Sequence, residues 1–320
     1  MLVRVENEER FRIPVHNLEG IVCFGYQGAS PALMNLCAER GVALSFHNEY
    51  GKFLARVSGP VCGNVLLRRT QYRYADDDGK RLEISRNFVI GKIANSRTTL
   101  MRALRDHREN VDWCKLEKAA ELLALALTKA QESTFMDELR GIEGDAAKIY
   151  FSAFDEMILE QKADFTFEGR NRRPPLDNMN ALLSFLYVML TYDTQSAIES
   201  VGLDPAVGFM HTDRPGRAGL ALDLMEEIRP YLADRMALTL VNRRQVSPQD
   251  FYQKESGGVL IKDEARKEIL AAWQKKKQEE IVHPYLDEKI PIGLIPYTQA
   301  LLMARYLRGD LDGYPPFLYR

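Results

Sequence analysis

Tyr74-Ala-Asp-Asp-Asp-Gly-Lys80 divides the chain into two kinds of sequence. Before it, short β-type runs at 10–15, 20–24, 42–46 and 53–57 are separated by Gly and Asn turn residues. After it, apolar residues recur at the 3.6-residue helical period through 82–107, 115–131, 134–162, 177–201, 215–231, 263–279 and 291–307. Pro174-Pro175, Pro205, Pro215, Pro230, Pro248 and Pro284 fall between these segments or at their ends, where a helix must stop or start. One helix is expected inside the first region, over 30–40, with Ser30 capping its start and Gly41 its end, and Asn48-Glu-Tyr-Gly51 reads as a hairpin loop. Gly59-Pro60 and Gly63 close that region, and the polar heptapeptide reads as a linker. The expected fold is α+β: a small N-terminal β-rich domain, 1–74, followed by a larger all-helical domain, 75–320.

Composition agrees with folded domains. Hydrophobic residues make up 46% and charged residues 28%, which excludes disordered and collagen-like chains. Forty-three Lys and Arg against 45 Asp and Glu leave a formal net charge of -2, so a polycation coating nucleic acid is excluded and any DNA must be met by local patches. Cys23, Cys37, Cys62 and Cys114 show no C-x-x-C or zinc spacing and read as core thiols of a reducing cytoplasm. The most apolar windows, 119–130 and 179–192, are interrupted by polar residues and fall short of the ~20 residues a membrane span needs, and the start lacks a secretory apolar run.

Three stretches could carry chemistry. In the 134–162 helix, Glu143 sits beside an apolar stripe of Phe135, Leu139, Ile142, Ala146, Ile149 and Ala153. A carboxylate there needs a cation or a donor, and an ordinary salt bridge would also satisfy it. Gly141 and Gly144 remove side-chain bulk, so another backbone or a ligand can approach. In the second stretch, His211 lies in a Gly- and Pro-flanked loop before a helix on which Asp223 and Glu226 share a face, with Glu227 beside them. An imidazole and two or three carboxylates suit Mn(II) or Mg(II) with open water positions better than a closed zinc site, although acidic helix faces are usually just solvated. In the third, Arg170, Arg172 and Arg173 lie before a Pro pair as a candidate phosphate patch. Asn180, Ser184 and Tyr187 follow at helical spacing, lining either a site or an interhelical hydrogen-bond network. Arg68, Arg69 and Arg73 form another acid-free basic cluster, and Arg214 and Arg217 flank the His211 loop; each is a candidate DNA contact or a solvated charge. The phosphate-binding G-x-x-x-x-G-K-[ST] loop, G-x-G-x-x-G, G-x-S-x-G and H-E-x-x-H are absent, and no histidine is followed by Asp, which removes the His-Asp helical phosphohydrolases.

Taken together, Gly141-Ile-Glu143-Gly-Asp-Ala-Ala-Lys-Ile-Tyr150-Phe151, the Arg-rich Pro-Pro segment leading to Asn180-Ala-Leu-Leu-Ser184-Phe, and Gly208-Phe-Met-His211 leading to Leu222-Asp223-Leu-Met-Glu226-Glu227-Ile-Arg-Pro230 resemble the CRISPR-associated endonuclease and integrase of spacer acquisition. Ile21-Val-Cys-Phe-Gly-Tyr-Gln-Gly-Ala-Ser-Pro31 and Gly309-Asp-Leu-Asp-Gly-Tyr-Pro-Pro-Phe-Leu-Tyr319 are also similar to it, nearest to type I-C members. The resemblance implies the two-domain fold expected above, assembled as a homodimer. It implies Glu143, His211 and Glu226 as ligands of Mg(II) or Mn(II), Asp223 as a supporting acidic residue of the catalytic set, and Asn180, Ser184 and Tyr187 as lining residues.

The activity implied is metal-dependent cleavage of DNA. With a small ferredoxin-like partner protein in a heterohexamer, it is transesterification, in which the 3′-hydroxyls of a double-stranded prespacer attack the repeat of a CRISPR array. Family members usually carry a further strand or two ahead of the segment matching residues 2–14, and this chain begins without them, through a misassigned start, a truncation or a sheet short of an edge. Two other classes compete: a catalytically inactive DNA-binding scaffold of the same fold, and a helical metal phosphohydrolase acting on small phosphate esters.

Overall fold

The computed structural model describes residues 1–5, 8–15, 18, 20–25, 28–47, 53–57, 59 and 65–319. The chain forms two compact units, Met1–Gly63 and Asn64–Arg320. The architecture is α+β, with strands concentrated in the first unit and helices in the second.

In the first unit, β1 (Leu2–Val5) pairs antiparallel with β2 (Glu8–Arg12) in the register Leu2 to Arg12. A second sheet runs in the order β3 (Gly20–Phe24), β4 (Ala43–His47), β5 (Phe53–Val57). β3 and β4 are parallel and need a crossover, which α1 (Pro31–Arg40) supplies. The Ser30 hydroxyl accepts from the Leu33 N–H at 3.2 Å, and Gly41 ends the helix at φ 67°, a left-handed conformation that a side chain would oppose. Cys37, Val42 and Leu44 fill the core under this sheet. The expected hairpin loop at 48–51 and the closing Pro60 and Gly63 lie outside the described residues.

The heptapeptide expected to be a linker is instead a turn between two helices. α2 (Val65–Asp76) precedes it, and α3 (Asp78–His107) starts within it because the Asp77 carboxylate accepts the Lys80 N–H at 2.8 Å as an N-cap. The helical unit therefore starts at 64 and includes Arg68, Arg69 and Arg73. α4 (Trp113–Glu132) and α5 (Met136–Phe154) pack on α3, and Leu123, Leu139, Phe154 and Leu182 are among the fully buried residues of the shared core.

α5 ends earlier than its periodicity suggests. A 3-10 turn, Asp155–Met157, follows, and the Asp155 carboxylate accepts the Phe167 N–H at 2.9 Å, turning the chain back. α6 (Asn178–Ser200), capped by Asp177, packs on α7 (Gly219–Arg229) and on α10 (Ile295–Arg308).

Pro230 does not stop the helix that contains it. The backbone widens into a π-helical stretch, Pro230–Asp234, and continues as α8 (Arg235–Asn242). Proline lacks an N–H and crowds the carbonyl four residues back, and the wider turn accommodates both. α9 (Asp263–Gln278) completes the helices, and two short hairpins decorate them: β6 (Phe251–Gln253) with β7 (Val259–Ile261), and β8 (Glu280–Val282) with β9 (Lys289–Pro291). None of the described helices is long and apolar enough to cross a membrane.

Candidate metal centre

The centre forms where α3, α5 and α7 cross. Gly91 lets α3 and α7 approach closely: a Cβ there would lie 2.8 Å from the Glu227 Cβ. Lys92, the next residue, is 7% exposed, and its ammonium joins carboxylates from both neighbouring helices. It pairs with Glu143 Oε1 of α5 and lies 2.7 Å from Glu226 Oε2 of α7. Glu226 Oε1 in turn accepts from Arg229 Nη1 at 3.0 Å, one helical turn further on. Burial favours the neutral acid, yet Arg229 and Lys92 outweigh it and hold the Glu226 carboxyl down at about 2. Glu226 is thus a buried carboxylate, and its Oε2 meets Lys92 by charge without an aligned hydrogen bond.

His211 is positioned by Asp223. The Asp223 carboxylate is fully buried and accepts the backbone N–H groups of Phe209 at 2.6 Å, Met210 at 3.0 Å and His211 at 2.9 Å. Its Oδ1 also lies 2.6 Å from His211 Nδ1. Two glycines permit this loop: a Cβ on Gly208 would lie 2.7 Å from the Gly219 carbonyl carbon and 2.8 Å from Asp223 Oδ2. With both oxygens engaged, Asp223 orients the imidazole and leaves Nε2 as its outward nitrogen. Burial disfavours the imidazolium, but Asp223 and then Glu226 outweigh it, so the His211 pKa is raised.

The Asn180, Ser184 and Tyr187 line ties helices together one layer behind. Asn180 Oδ1 accepts Arg170 Nη1 at 2.6 Å and Ser184 Oγ accepts Arg170 Nη2 at 2.9 Å. The Tyr187 hydroxyl donates to Asp234 Oδ1 at 2.5 Å, and the Arg170 and Arg229 guanidiniums stand 5.1 and 4.5 Å from the Tyr187 ring centroid. Asp234 reaches this position from the π-helical stretch, and burial lifts its pKa against the pull of Arg229 and Tyr187.

Sequence reading grouped residues that the structure separates. Glu227 points away from Glu226 and accepts from Gln299 Nε2 at 2.9 Å, from the Phe317 N–H at 2.9 Å and from the Tyr314 hydroxyl. Burial, opposed by those donors, pushes its pKa up to about 7. Arg170 is committed inward, whereas Arg172, Arg173, Arg214, Arg69 and Arg73 are exposed. Arg68 donates to the Gly202 carbonyl at 3.0 Å and Arg217 to the Thr212 carbonyl at 3.2 Å. Among the described residues, nothing beyond the local helix backbone and chain neighbours lies within 4 Å of a Cβ built on Gly141 or Gly144.

Lys92, Arg229, Asp234 and the Tyr150 hydroxyl escaped the sequence reading. Lys92 had a readable signal, a lone cation in Phe88-Val-Ile-Gly-Lys-Ile93, but periodicity gives it no partner.

The donor set fits a hard divalent cation: two carboxylates, one of them with a buried oxygen lacking a hydrogen bond, and one imidazole nitrogen. Among the described residues no three His, Cys, Asp or Glu side chains close into a ligand set, and Lys92 pairs with both carboxylates.

The family profile described as CRISPR associated protein Cas1 matches residues 1–275. A CRISPR-associated endonuclease Cas1 of Chlorobaculum tepidum is 53% identical over 320 residues, covering 100% of this chain and 93% of the relative. Among solved structures, a casposase bound to integration product superposes with a TM-score of 0.81 at 23% identity, covering 94% of this chain and 82% of that one. A chain of a Cas6-RT-Cas1–Cas2 complex gives a TM-score of 0.80 at 23% identity, covering 99% of this chain and 34% of that one.

Proposed function

The chain belongs to the Cas1 family of CRISPR-associated endonucleases and integrases, and from that premise we propose a metal-dependent enzyme that cleaves DNA and inserts new spacers into a CRISPR array. It is a nuclease by family. One observation carries the metal dependence: Glu143 and Glu226, on different helices, converge on one cationic position, and Asp223 holds the His211 ring within electrostatic reach of Glu226.

Glu143, Glu226 and His211 Nε2 would hold Mg(II) or Mn(II), which supplies Lewis-acid charge at a phosphate oxygen and a lower pKa for an attacking hydroxyl. Arg229 keeps Glu226 ionised, Asp223 fixes the imidazole tautomer with Nδ1 as the bonded nitrogen, and the apolar core behind excludes water. The exposed Arg172, Arg173, Arg214, Arg69 and Arg73 would hold the DNA backbone without reading sequence.

In the assembled complex the attacking group is the 3′-hydroxyl of a double-stranded prespacer and the target a repeat phosphodiester. The casposase structure, bound to an integration product, has the same fold and supports this reading. The Cas1–Cas2 complex among the structural relatives supports a partner, read here as a small ferredoxin-like protein bridging Cas1 homodimers in a cytoplasmic heterohexamer. The stretches at 21–31 and 309–319 support a type I-C member.

The test replaces Glu143, His211 and Glu226 singly by Ala and measures Mg(II)- or Mn(II)-dependent nicking and strand transfer. Each variant is expected to fall to background; wild-type rates in all three would overturn the reading.

A further inference from the structure

A built-in cation already stands where the carboxylates converge, and room for it to move lies next to it. Lys92 Nζ bridges Glu143 and Glu226. Lys92 also lines a cavity of about 10 Å³ with Ser96, Ala146, Ala147, Tyr150 and Asp234. That volume is at the lower edge of what one water needs, and an ammonium head is of similar size. The cavity is polar where it matters. The Tyr150 hydroxyl is buried near the Asp234 carboxylate but finds no well-aligned hydrogen bond, and Asp234 is 1% exposed. Ala146 and Ala147 keep the wall thin. The Asp234 carboxylate and the Tyr150 phenolic oxygen both accept hydrogen bonds, so an ammonium entering this space finds partners there.

We propose that Lys92 is a two-position placeholder: its ammonium neutralises the Glu143–Glu226 pair before metal arrives, and metal binding moves it into the adjoining cavity, against Tyr150 Oη and Asp234. The inference rests on the metal-centre reading above and adds to it an intramolecular competitor. Two carboxylates left unpaired in a buried site would repel each other and reward collapse; Lys92 keeps them converged. The cost falls on affinity, since divalent cation meets its full ligand set only in the fraction of molecules whose lysine has moved aside.

The experiment measures Mn(II) binding without DNA, by electron paramagnetic resonance of free Mn(II), on the full chain and its variants. Lys92→Met and Lys92→Gln are each expected to bind Mn(II) about tenfold or more tightly than wild type, as follows if the open state is a tenth or less of the population. Tyr150→Phe is expected to weaken binding a few-fold in wild type and to have no effect in the Lys92→Met background, because the hydroxyl acts only through the lysine. A crystal structure of the wild-type protein with Mn(II) is expected to place Lys92 Nζ beside Tyr150 and needs no variant to fold. Equal or weaker Mn(II) affinity in folded Lys92→Met, or Nζ remaining between the carboxylates beside bound Mn(II), would overturn the placeholder. Glu143→Gln separates this from the underlying reading: undiminished Mn(II) binding in that variant would overturn the metal centre itself.

Discussion

Single side chains at the centre divide into those that face outward and those that hold them. Asp223 accepts four donors and touches no open space, so Asp223→Asn is expected to lower Mn(II) affinity about 10- to 100-fold through a misplaced His211, read by Mn(II) titration. Gly208→Ala forces a methyl group into Gly219 and Asp223 and is expected to cost about 1–3 kcal/mol in thermal unfolding. It would displace the same loop. The sequence placed His211, Asp223 and Glu226 together because three- and four-residue spacing and a Gly-flanked loop are local signals. It could not show that Asp223 is consumed by backbone N–H groups, or that Lys92, far away in the chain, completes the charge. Such partners are set by the crossing of α3 with α7, which no local period encodes.

Among the elements, α7 carries the most consequences because consecutive glutamates serve opposite sides. Glu226 faces the centre while Glu227 faces the last residues of the chain. Glu227 has a folded pKa of about 7 against an ordinary value of 4.5, so the folded state binds its proton more tightly. Its contribution is fully present below pH 4.5 and is lost as pH rises through 7, a change of about 3 kcal/mol. Comparing thermal midpoints of wild type and Glu227→Gln at pH 5 and pH 8 checks this: the variant is expected to lose less between the two. Boundaries were the least legible feature at this scale. Pro230 reads as a stop and is a π-helical continuation; the Tyr74 heptapeptide reads as a linker and is a capped turn. In the first case a wider turn accommodates the proline, and in the second the Asp77 carboxylate caps a new helix at once.

At the scale of the whole molecule, the proposed function together with a net charge of -2 would leave DNA affinity to a few exposed arginines. Arg172→Ala and Arg173→Ala are each expected to reduce the slope of log affinity against log salt by about 1, without changing sequence preference. Arg170→Ala is expected to act on stability instead, because its guanidinium is bound to Asn180 and Ser184. Fluorescence anisotropy over a salt series, paired with thermal melts, tells the two behaviours apart. The division into β-rich and helical regions was legible because the periods 2.0 and 3.6 differ along long stretches. The inward turn of Arg170 was not, since composition reports charge and says nothing of its direction.

Residues 317–319 are fastened to the helices that frame the centre. The Tyr319 hydroxyl meets Thr99 Oγ1 at 2.7 Å, the Tyr319 N–H donates to Asn95 Oδ1 at 3.2 Å, and the Phe317 N–H donates to Glu227. Asn95 and Thr99 belong to the helix of Lys92, and Glu227 to the helix of Glu226. Mechanically, tension applied at residue 319 is therefore borne first by the two helices that frame the centre. A pulling experiment from residue 319 would strip these tail bonds first and then load α3 and α7 ahead of the other helices.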